Sequence, residues 1–461
     1  MADPRLVDAL TRSGVPGPVA VPPRRRAVGA GPLRAVHAVR RGDERGNPQE
    51  GRAMKIAMVS EHARLLAAPG DADSGGRGVH VAELSAALVR AGHDVTVYTR
   101  RDDPDLPERA RTEEGYEVVH VPAGPPTRLP ADELLPRMGE FGTFLERAWT
   151  KDRPDVAHAH FWMSGIATQL AARNARVPTV QTFHTLGVVE RRHQGSADAG
   201  SSSRIRVERL LALGASRVAA TCSEEVFELA TLGLPRTRTS VVPCGVNLEL
   251  FTPTGPGDRA RGAGHRIVTV GPLVPRMGFD VAIRALALLP DTELVIAGGP
   301  VDCDLACDAE AARLRAVAEQ HGVRDRVRMT GPVPRKDMPA LLRSADVVVC
   351  TPWYEPLGIV PLEAMACGRP VVATAVGGLL DTVVDGVTGT LVPPHASEAV
   401  AAALHGLLTD DVQRTAFGLA GHDRASTRYS WDRSAADAAR TYERCVPEPR
   451  QAVRSTRSGA R

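Results

Sequence analysis

Two glutamates eight residues apart, Glu355 and Glu363, lie in the segment WYEPLGIVPLEAMACGRP at residues 353–370. The apolar run before it, at 345–352, predicts a buried strand, and LEAMA predicts a helix. Glu355 would therefore lie in the loop that leaves a strand, and Glu363 early in the helix that follows. Carboxylates accept hydrogen bonds from vicinal hydroxyls, and a helix N-terminus favours phosphate. The pattern indicates a ligand that carries both groups, such as a nucleotide sugar.

A glycine-rich loop, DADSGGRG, precedes a predicted amphipathic helix at 79–92. Gly75 and Gly76 can present bare backbone N–H groups and the positive end of a helix dipole to a phosphate. The alternative is a flexible surface loop. Gly358, between the two glutamates, likewise lets the backbone approach a ligand closely.

Histidines mark the ends of two further predicted strands, in HAHFWMSG and QTFHTLG. His158 and His160 are two residues apart and would share one face of a strand, so they are either a metal pair or two histidines satisfied by backbone hydrogen bonds. His184 is the stronger candidate, because a strand-end histidine beside a cleft can donate to hydroxyls or polarise a reacting group. His193 is expected on a polar helix or loop.

Strands and helices alternate along most of the chain, which predicts an α/β fold with two doubly wound parallel sheets. The first set of strand patterns ends near residue 243, and a second set begins near 266. A segment rich in glycine, proline and arginine separates them. A helix broken by Pro136 is expected at 132–150. The predicted units are a disordered basic extension (1–53), a first domain (54–243), a linker (244–265), a second domain (266–429), a C-terminal helix (430–445) and a disordered tail (446–461).

Composition excludes several classes of protein. The formal net charge is +3, but residues 1–53 alone contain ten arginines against five acidic residues, so the folded body is acidic and unlike a nucleic-acid-binding surface. The arginine-rich termini could contact anionic lipid at a membrane surface. No membrane span or secretory signal is visible, which predicts a cytoplasmic protein. The seven scattered cysteines are expected to be reduced and structural. Met54, directly before the first strand, is an alternative translation start.

Six segments in order resemble the motifs of family-4 retaining glycosyltransferases, the group 1 glycosyltransferases. They are SGGRGVHVAEL, HAHFWMSG, QTFHTLGVV, VPCGVNLELF, VGPLVPRMGF and YEPLGIVPLEAMACGRPVVATAVGG. The likeness covers about residues 54–445. It implies the GT-B fold, in which two Rossmann-like doubly wound domains face each other across a cleft. The first-domain motifs most resemble those of sucrose-phosphate synthases and inositol-phosphate glycosyltransferases.

The resemblance implies a role for each matching position. Gly75 and Gly76 would bring backbone amides to the donor diphosphate, and His184 would lie beside the transferred sugar. Glu355 would hold sugar hydroxyls, while Glu363 would accept both ribose hydroxyls.

The backbone of Leu357, Gly358 and Ile359 would bind sugar and phosphate oxygens. The family uses no metal and no cofactor besides the nucleotide-diphosphate sugar, which is a co-substrate. The leaving phosphate takes the acceptor proton in front-face attack, so configuration is retained.

The second-domain opening departs from the family pattern, which has an arginine after the glycine and a lysine five residues later. In VGPLVPRMG those positions are Pro272 and Met277. Arg276, one residue before Met277, would supply a cation if the backbone of this loop is shifted relative to the family pattern. A nucleotide-sugar-binding or regulatory homologue with impaired catalysis is therefore the alternative to an active hexosyltransferase. Leu357 also replaces a phenylalanine that is frequent in the family.

The sequence leaves the substrates open. The sugar could be linked to uridine or guanosine diphosphate, and the acceptor could be a small molecule, a glycan or a lipid headgroup. A cofactor-dependent phosphorylase of the same fold would need a Schiff-base lysine in the second domain. The sequence offers only Lys336 there, in a polar PRKDMP turn. The oligomeric state is not predicted.

Overall fold

The computed structural model describes residues 52–61, 76–194, 201–257, 264–300 and 305–446. Almost all of the expected N-terminal extension, the tail beyond residue 446, and Gly75 lie outside these ranges. The described chain forms two α/β units, which we call the first and the second domain after the sheet that each contains.

The first domain is built on an eight-stranded sheet in the order β3-β4-β2-β1-β5-β6-β7-β8. Every neighbouring pair is parallel except β3 and β4. The central strands β1 and β5 are buried on both faces. The strand β1 accordingly has a continuous apolar run, whereas β5 has histidines at alternate positions. The strands are β1 (Lys55–Val59), β2 (Asp94–Arg100), β3 (Arg109–Arg111), β4 (Glu117–Val121), β5 (Val156–His160), β6 (Thr179–Thr182), β7 (Arg217–Ala220) and β8 (Thr239–Val241).

Helices connect these strands and cover the sheet. The expected break at Pro136 is confirmed, because a short 3₁₀ turn at Leu135–Arg137 separates two helices there. The helices are α1 (Gly76–Arg90), α2 (Ala131–Leu134), α3 (Met138–Lys151), α4 (Trp162–Ala175), α5 (Gly187–Gln194), α6 (Ser201–Gly214) and α7 (Ser223–Thr231).

The second domain contains a six-stranded parallel sheet in the order β11-β10-β9-β12-β13-β14. Its strands are β9 (His265–Val270), β10 (Thr292–Ala297), β11 (Val327–Gly331), β12 (Val347–Cys350), β13 (Val371–Thr374) and β14 (Gly389–Val392). Its helices are α8 (Phe279–Leu286), α9 (Ala309–Gln320), α10 (Met338–Ser344), α11 (Ile359–Ala366), α12 (Leu379–Thr382), α13 (Ser397–Thr409) and α14 (Asp411–Arg428). The predicted doubly wound α/β architecture with two parallel sheets is confirmed.

The last helix, α15 (Trp431–Glu443), returns to the first domain. Its buried residues Trp431, Ala435, Ala438 and Tyr442 share a hydrophobic cluster with strands of the first sheet and with α1. In the linker, Val246 bridges to Ser430 at the start of this helix. The chain therefore crosses between the domains twice.

Two strands have no counterpart in the sequence analysis. The short β3 is an exposed, arginine-rich edge strand, and β14 begins with glycine. Both lie at sheet edges, where hydrogen bonding to the one neighbouring strand makes a segment a strand even if its own residues have a low strand propensity. No helix of the described residues is long and apolar enough to cross a membrane.

Candidate active site

The candidate residues lie at the carboxyl ends of the strands where each strand order reverses. Those points are β1 beside β5 in the first sheet and β9 beside β12 in the second. Loops at such points are the usual ligand positions in doubly wound sheets.

Glu355 lies in the loop after β12, and its side chain folds back onto that loop. Its Oε1 accepts hydrogen bonds from the N–H of Leu357 (3.0 Å) and of Gly358 (3.3 Å). Gly358 is the N-cap of α11 with φ 63°, a left-handed conformation that glycine adopts without strain. The resemblance implies that the backbone of Leu357, Gly358 and Ile359 binds a ligand. The Glu355 carboxylate accepts hydrogen bonds from two of these three N–H groups.

Glu363 is 4% exposed on α11, and its Oε1 accepts a hydrogen bond from Arg335 Nη1 at 2.6 Å. Burial raises the pKa of Glu363, while the adjacent guanidinium opposes that shift. The sequence analysis did not identify Arg335, which lies in a proline-rich loop far from the glutamate motif. Only the mix of cation and prolines in that loop could have suggested it.

The first helix of the first domain meets the glutamate loop of the second. A Cβ built on Gly76, the first residue of α1, would lie 3.4 Å from the Cδ1 atoms of Leu357 and Ile359. The structure therefore brings Gly76 together with the loop that carries Glu355.

Three polar contacts join the domains nearby. Thr221 Oγ1 donates to Pro356 O (3.2 Å). The N–H of Ser223 donates to Asp381 Oδ2 (2.6 Å), and the N–H of Gly377 donates to Glu224 Oε2 (2.5 Å). These contacts hold the two carboxyl edges against each other.

His184 follows β6 and is 1% exposed, with a left-handed φ of 61°. Its Nε2 lies 3.0 Å from His160 Nδ1, and its ring packs edge-on against His80 of α1. His158 packs against His160 with ring centroids 4.2 Å apart and the rings tilted by 37°. We call these four residues the histidine cluster. A non-glycine residue held at positive φ is a strained conformation of the kind found at functional sites.

The hydrogen bonds of His158 fix its tautomer. Thr182 Oγ1 donates its single proton to Ala219 O, so it accepts from His158 Nε2 at 2.9 Å. His158 Nδ1 then accepts from Tyr442 Oη at 2.7 Å. Both ring nitrogens are thus engaged by protein groups, which leaves His158 no lone pair for the metal that was one of the two sequence alternatives.

Burial keeps three histidines of this cluster, His80, His158 and His160, neutral. It lowers the pKa of His80 to about 4 and that of His158 to about 3, and it lowers the pKa of His160 well below the usual range. The sequence analysis missed His80, because the helix that carries it is distant in sequence from the strand-end motifs.

The loop after β9 differs from the family pattern in structure as well as in sequence. Pro272 is exposed, whereas Met277 is 8% exposed and packs in the core of the second domain. Arg276 lies in a 3₁₀ turn, with its guanidinium carbon 5.4 Å above the centroid of the Tyr354 ring. His193 of α5 stacks on the same ring at 5.5 Å. Arg276 therefore points toward the glutamate loop, and Met277 does not.

A buried ionic network lies beside His184. Arg204 donates to Glu208 (2.7 Å), to Glu190 (2.6 Å) and to the hydroxyl of Thr185 (3.0 Å). Burial raises the pKa of Glu208 to about 7, although Arg204 opposes that shift. The sequence analysis did not single out Arg204.

Comparison with known proteins gives the same assignment for both halves of the chain. Residues 74–250 match the model described as Glycosyltransferase Family 4, and residues 260–424 match Glycosyl transferases group 1. The chain is 37% identical over 402 residues to the D-inositol 3-phosphate glycosyltransferase of Xylanimonas cellulosilytica, covering 84% of this chain and 95% of that protein. It is 36% identical to the Kribbella flavida protein of the same name, with 83% and 93% covered.

Among solved structures, the chain is similar to the sucrose-phosphate synthase from Thermosynechococcus elongatus. The identity is 29%, the TM-score is 0.76, and the match covers 84% of this chain and 98% of that one. The predicted GT-B fold and the predicted likeness to both branches are confirmed. The chain is a glycosyltransferase, and it belongs to glycosyltransferase family 4, the group 1 glycosyltransferases.

Proposed function

We propose that the protein transfers a hexosyl group from a nucleotide-diphosphate sugar to an acceptor hydroxyl with retention of configuration. The observation that supports it most is the arrangement of Glu355 and Glu363 around the N-terminus of α11, with Gly76 of the first domain packed so closely that a Cβ there would lie 3.4 Å from the Leu357 and Ile359 side chains. One carboxylate is available to sugar hydroxyls and the other to ribose hydroxyls. The N-terminus of α1 favours phosphate, because its first turn has no acidic side chain, whereas at α11 the Glu355 carboxylate already accepts from the N–H groups of Leu357 and Gly358.

The reaction breaks the bond between the anomeric carbon and the diphosphate oxygen. A new bond forms from that carbon to the acceptor oxygen on the same face, and the acceptor proton passes to the leaving phosphate. The protein's contribution is to orient the sugar and to stabilise the charge that develops on the diphosphate. No cofactor besides the nucleotide sugar takes part.

Arg276 supplies a cation for the diphosphate in place of the two family cations that this chain lacks. Its turn is tied to the glutamate loop, because the N–H of Trp353 donates to Arg276 O at 2.8 Å. Pro272 and Pro275 restrict this loop, so the backbone favours the register that directs residue 276 toward Tyr354.

Arg276→Ala is expected to lower kcat by about 10²-fold, because one preorganised charge at a developing oxyanion contributes about that much. Steady-state transfer assays measure this effect, and Arg324→Ala, a cation with a half-exposed side chain on the same domain, is the matched control. Pro272→Arg should raise the rate, because residue 272 is exposed at the position of the family arginine. Unchanged turnover in Arg276→Ala would contradict the assignment.

The acceptor is a small phosphorylated polyol. Two similar proteins are named for inositol 3-phosphate as acceptor, and a similar structure is named for sucrose phosphate. In this chain Arg204 lies beside Thr185, next to His184, on the first-domain side of the site, with its guanidinium bonded to Glu208, Glu190 and Thr185. The support for this acceptor class is therefore the similar proteins and not this arginine.

Transfer from uridine and guanosine diphosphate hexoses to inositol 3-phosphate, with inositol as the unphosphorylated control, tests this function. Mass spectrometry should detect a product one hexosyl unit heavier, formed faster with the phosphorylated acceptor. Glu363→Ala should weaken nucleotide binding in a thermal-shift titration, because ligand binding stabilises the folded state by mass action. Nucleotide binding unaffected by this substitution would count against the donor site.

The loss of both family cations favours a second candidate, a nucleotide-sugar-binding protein with impaired catalysis. Robust wild-type turnover would exclude it. Near-zero turnover that Pro272→Arg restores would support it. Met277→Lys is a poor companion substitution, because it would bury an ammonium in the second-domain core.

A further inference from the structure

The buried carboxylate of Glu363 has a cationic partner, Arg335, that comes from outside the segment carrying the two glutamates. Arg335 lies in the loop between β11 and α10, where Pro332 and Pro334 limit the backbone. The carbonyl of Pro334 accepts from the N–H of Asp337 (2.9 Å), which closes the loop into a turn. The guanidinium therefore approaches α11 from a constrained backbone.

The Arg335 side chain has contacts on both domains. Its Nη1 donates to Glu363 Oε1 at 2.6 Å, and its Nη2 lies 3.8 Å from Oε1 of Glu83 on α1. Asn247 Nδ2 also donates to Glu83 Oε1, at 3.4 Å. The guanidinium carbon stacks 5.1 Å from the centroid of the Phe251 ring. The same cation thus connects the second-domain glutamate with the helix that opens at Gly76.

We propose that Arg335 is a positioning residue of the nucleotide site, which keeps the buried Glu363 carboxylate ionised and directed toward the ribose and anchors it to α1 through Glu83. The inference rests on the proposed nucleotide function of Glu363. An ionised carboxylate accepts two ribose hydroxyls, whereas a protonated one gives up part of that acceptor capacity. A buried carboxylate without a cation loses its charge, because desolvation favours the neutral form.

The pH dependence of nucleotide binding distinguishes this role from simple structural support. Titrations of the full chain with uridine and guanosine diphosphate between pH 6 and 9 compare wild type with Arg335→Gln. The variant's affinity should fall on the order of 30-fold at pH 7, the usual scale for one partner of a buried charge pair. The loss should shrink as the pH rises, because a higher pH favours the ionised form of Glu363.

Arg335→Lys should recover part of the affinity, because it keeps the charge but not the planar fork. Lys336→Gln is the matched control, since Lys336 is the exposed cation that follows in the same turn. It should bind as wild type does. Wild-type affinity and pH profile in Arg335→Gln would overturn the inference, while a wild type that binds neither nucleotide would overturn the proposed function instead.

Thermal unfolding without nucleotide supplies an independent readout. In Arg335→Gln the pKa of Glu363 rises further in the folded state only, so with rising pH the unfolded chain releases a proton that the folded variant retains. The Tm deficit relative to wild type should therefore be larger at pH 8 than at pH 5. An equal deficit at both values would mean that Arg335 supports packing and not ionisation.

Discussion

Replacing His184 with asparagine should lower kcat by a factor on the order of 10² to 10³ and leave nucleotide affinity unchanged. His184 belongs to the first domain, whereas the proposed ribose contact, Glu363, lies on the second. Its imidazole is buried at the carboxyl edge of the sheet, with Nε2 engaged by His160. Removing the imidazole eliminates a hydrogen-bonding group beside the proposed transferred sugar and leaves the proposed nucleotide contact of Glu363 in place.

The choice of asparagine separates chemistry from backbone strain. At φ 61° an alanine would add strain to the loss of the ring, whereas asparagine tolerates the left-handed region. Steady-state kinetics give kcat, and nucleotide titration gives Kd. Arg176→Asn is a matched control, because Arg176 has φ 51° at the C-terminal end of α4, remote from the carboxyl edge. A fully active His184→Asn variant would refute the role.

Acid should destabilise the first domain through the histidine cluster. The pKa of His80 is about 4 and that of His158 is about 3 in the folded state, against 6.5 for the free side chain. Below pH 6.5 the unfolded chain binds protons that the folded chain excludes, so stability is present above that pH and is lost as pH falls. At pH 5 each histidine should remove about 2 kcal/mol from the free energy of unfolding.

The difference between variants isolates this effect from other titrating groups. His80→Phe keeps an aromatic ring against His184 and Trp431 but cannot titrate. Between pH 8 and pH 5 its free energy of unfolding should fall by about 2 kcal/mol less than that of wild type. Urea denaturation at the two pH values measures it, with the exposed His405→Gln as control. Parallel pH dependence in wild type and His80→Phe would contradict the prediction.

Much of the fold was predictable because its signals are local. The runs that became β1, β9 and β12 are apolar and rich in β-branched residues, and the break at Pro136 follows from one missing N–H and one fixed φ. The edge strands β3 and β14 were missed, because their pairing partner and not their own composition makes them strands. The return of α15 to the first domain was also missed, since helical spacing does not say which surface covers it.

The candidate site also has one part that local sequence signals predicted and another that depends on long-range contacts. The spacing of Glu355, Gly358 and Glu363 predicted their common place at a strand-to-helix turn, because three residues on one short segment are placed by local geometry alone. Arg335, His80 and Tyr442 reach their partners from distant segments, and only the tertiary structure brings them there. It also decided that Arg276 rather than Met277 turns toward the glutamate loop. The sequence by itself thus determined the fold class, the family and the two candidate carboxylates. The ionisation of Glu363, His80, His158 and His160 depends instead on burial and long-range partners, which exist only after the chain has folded.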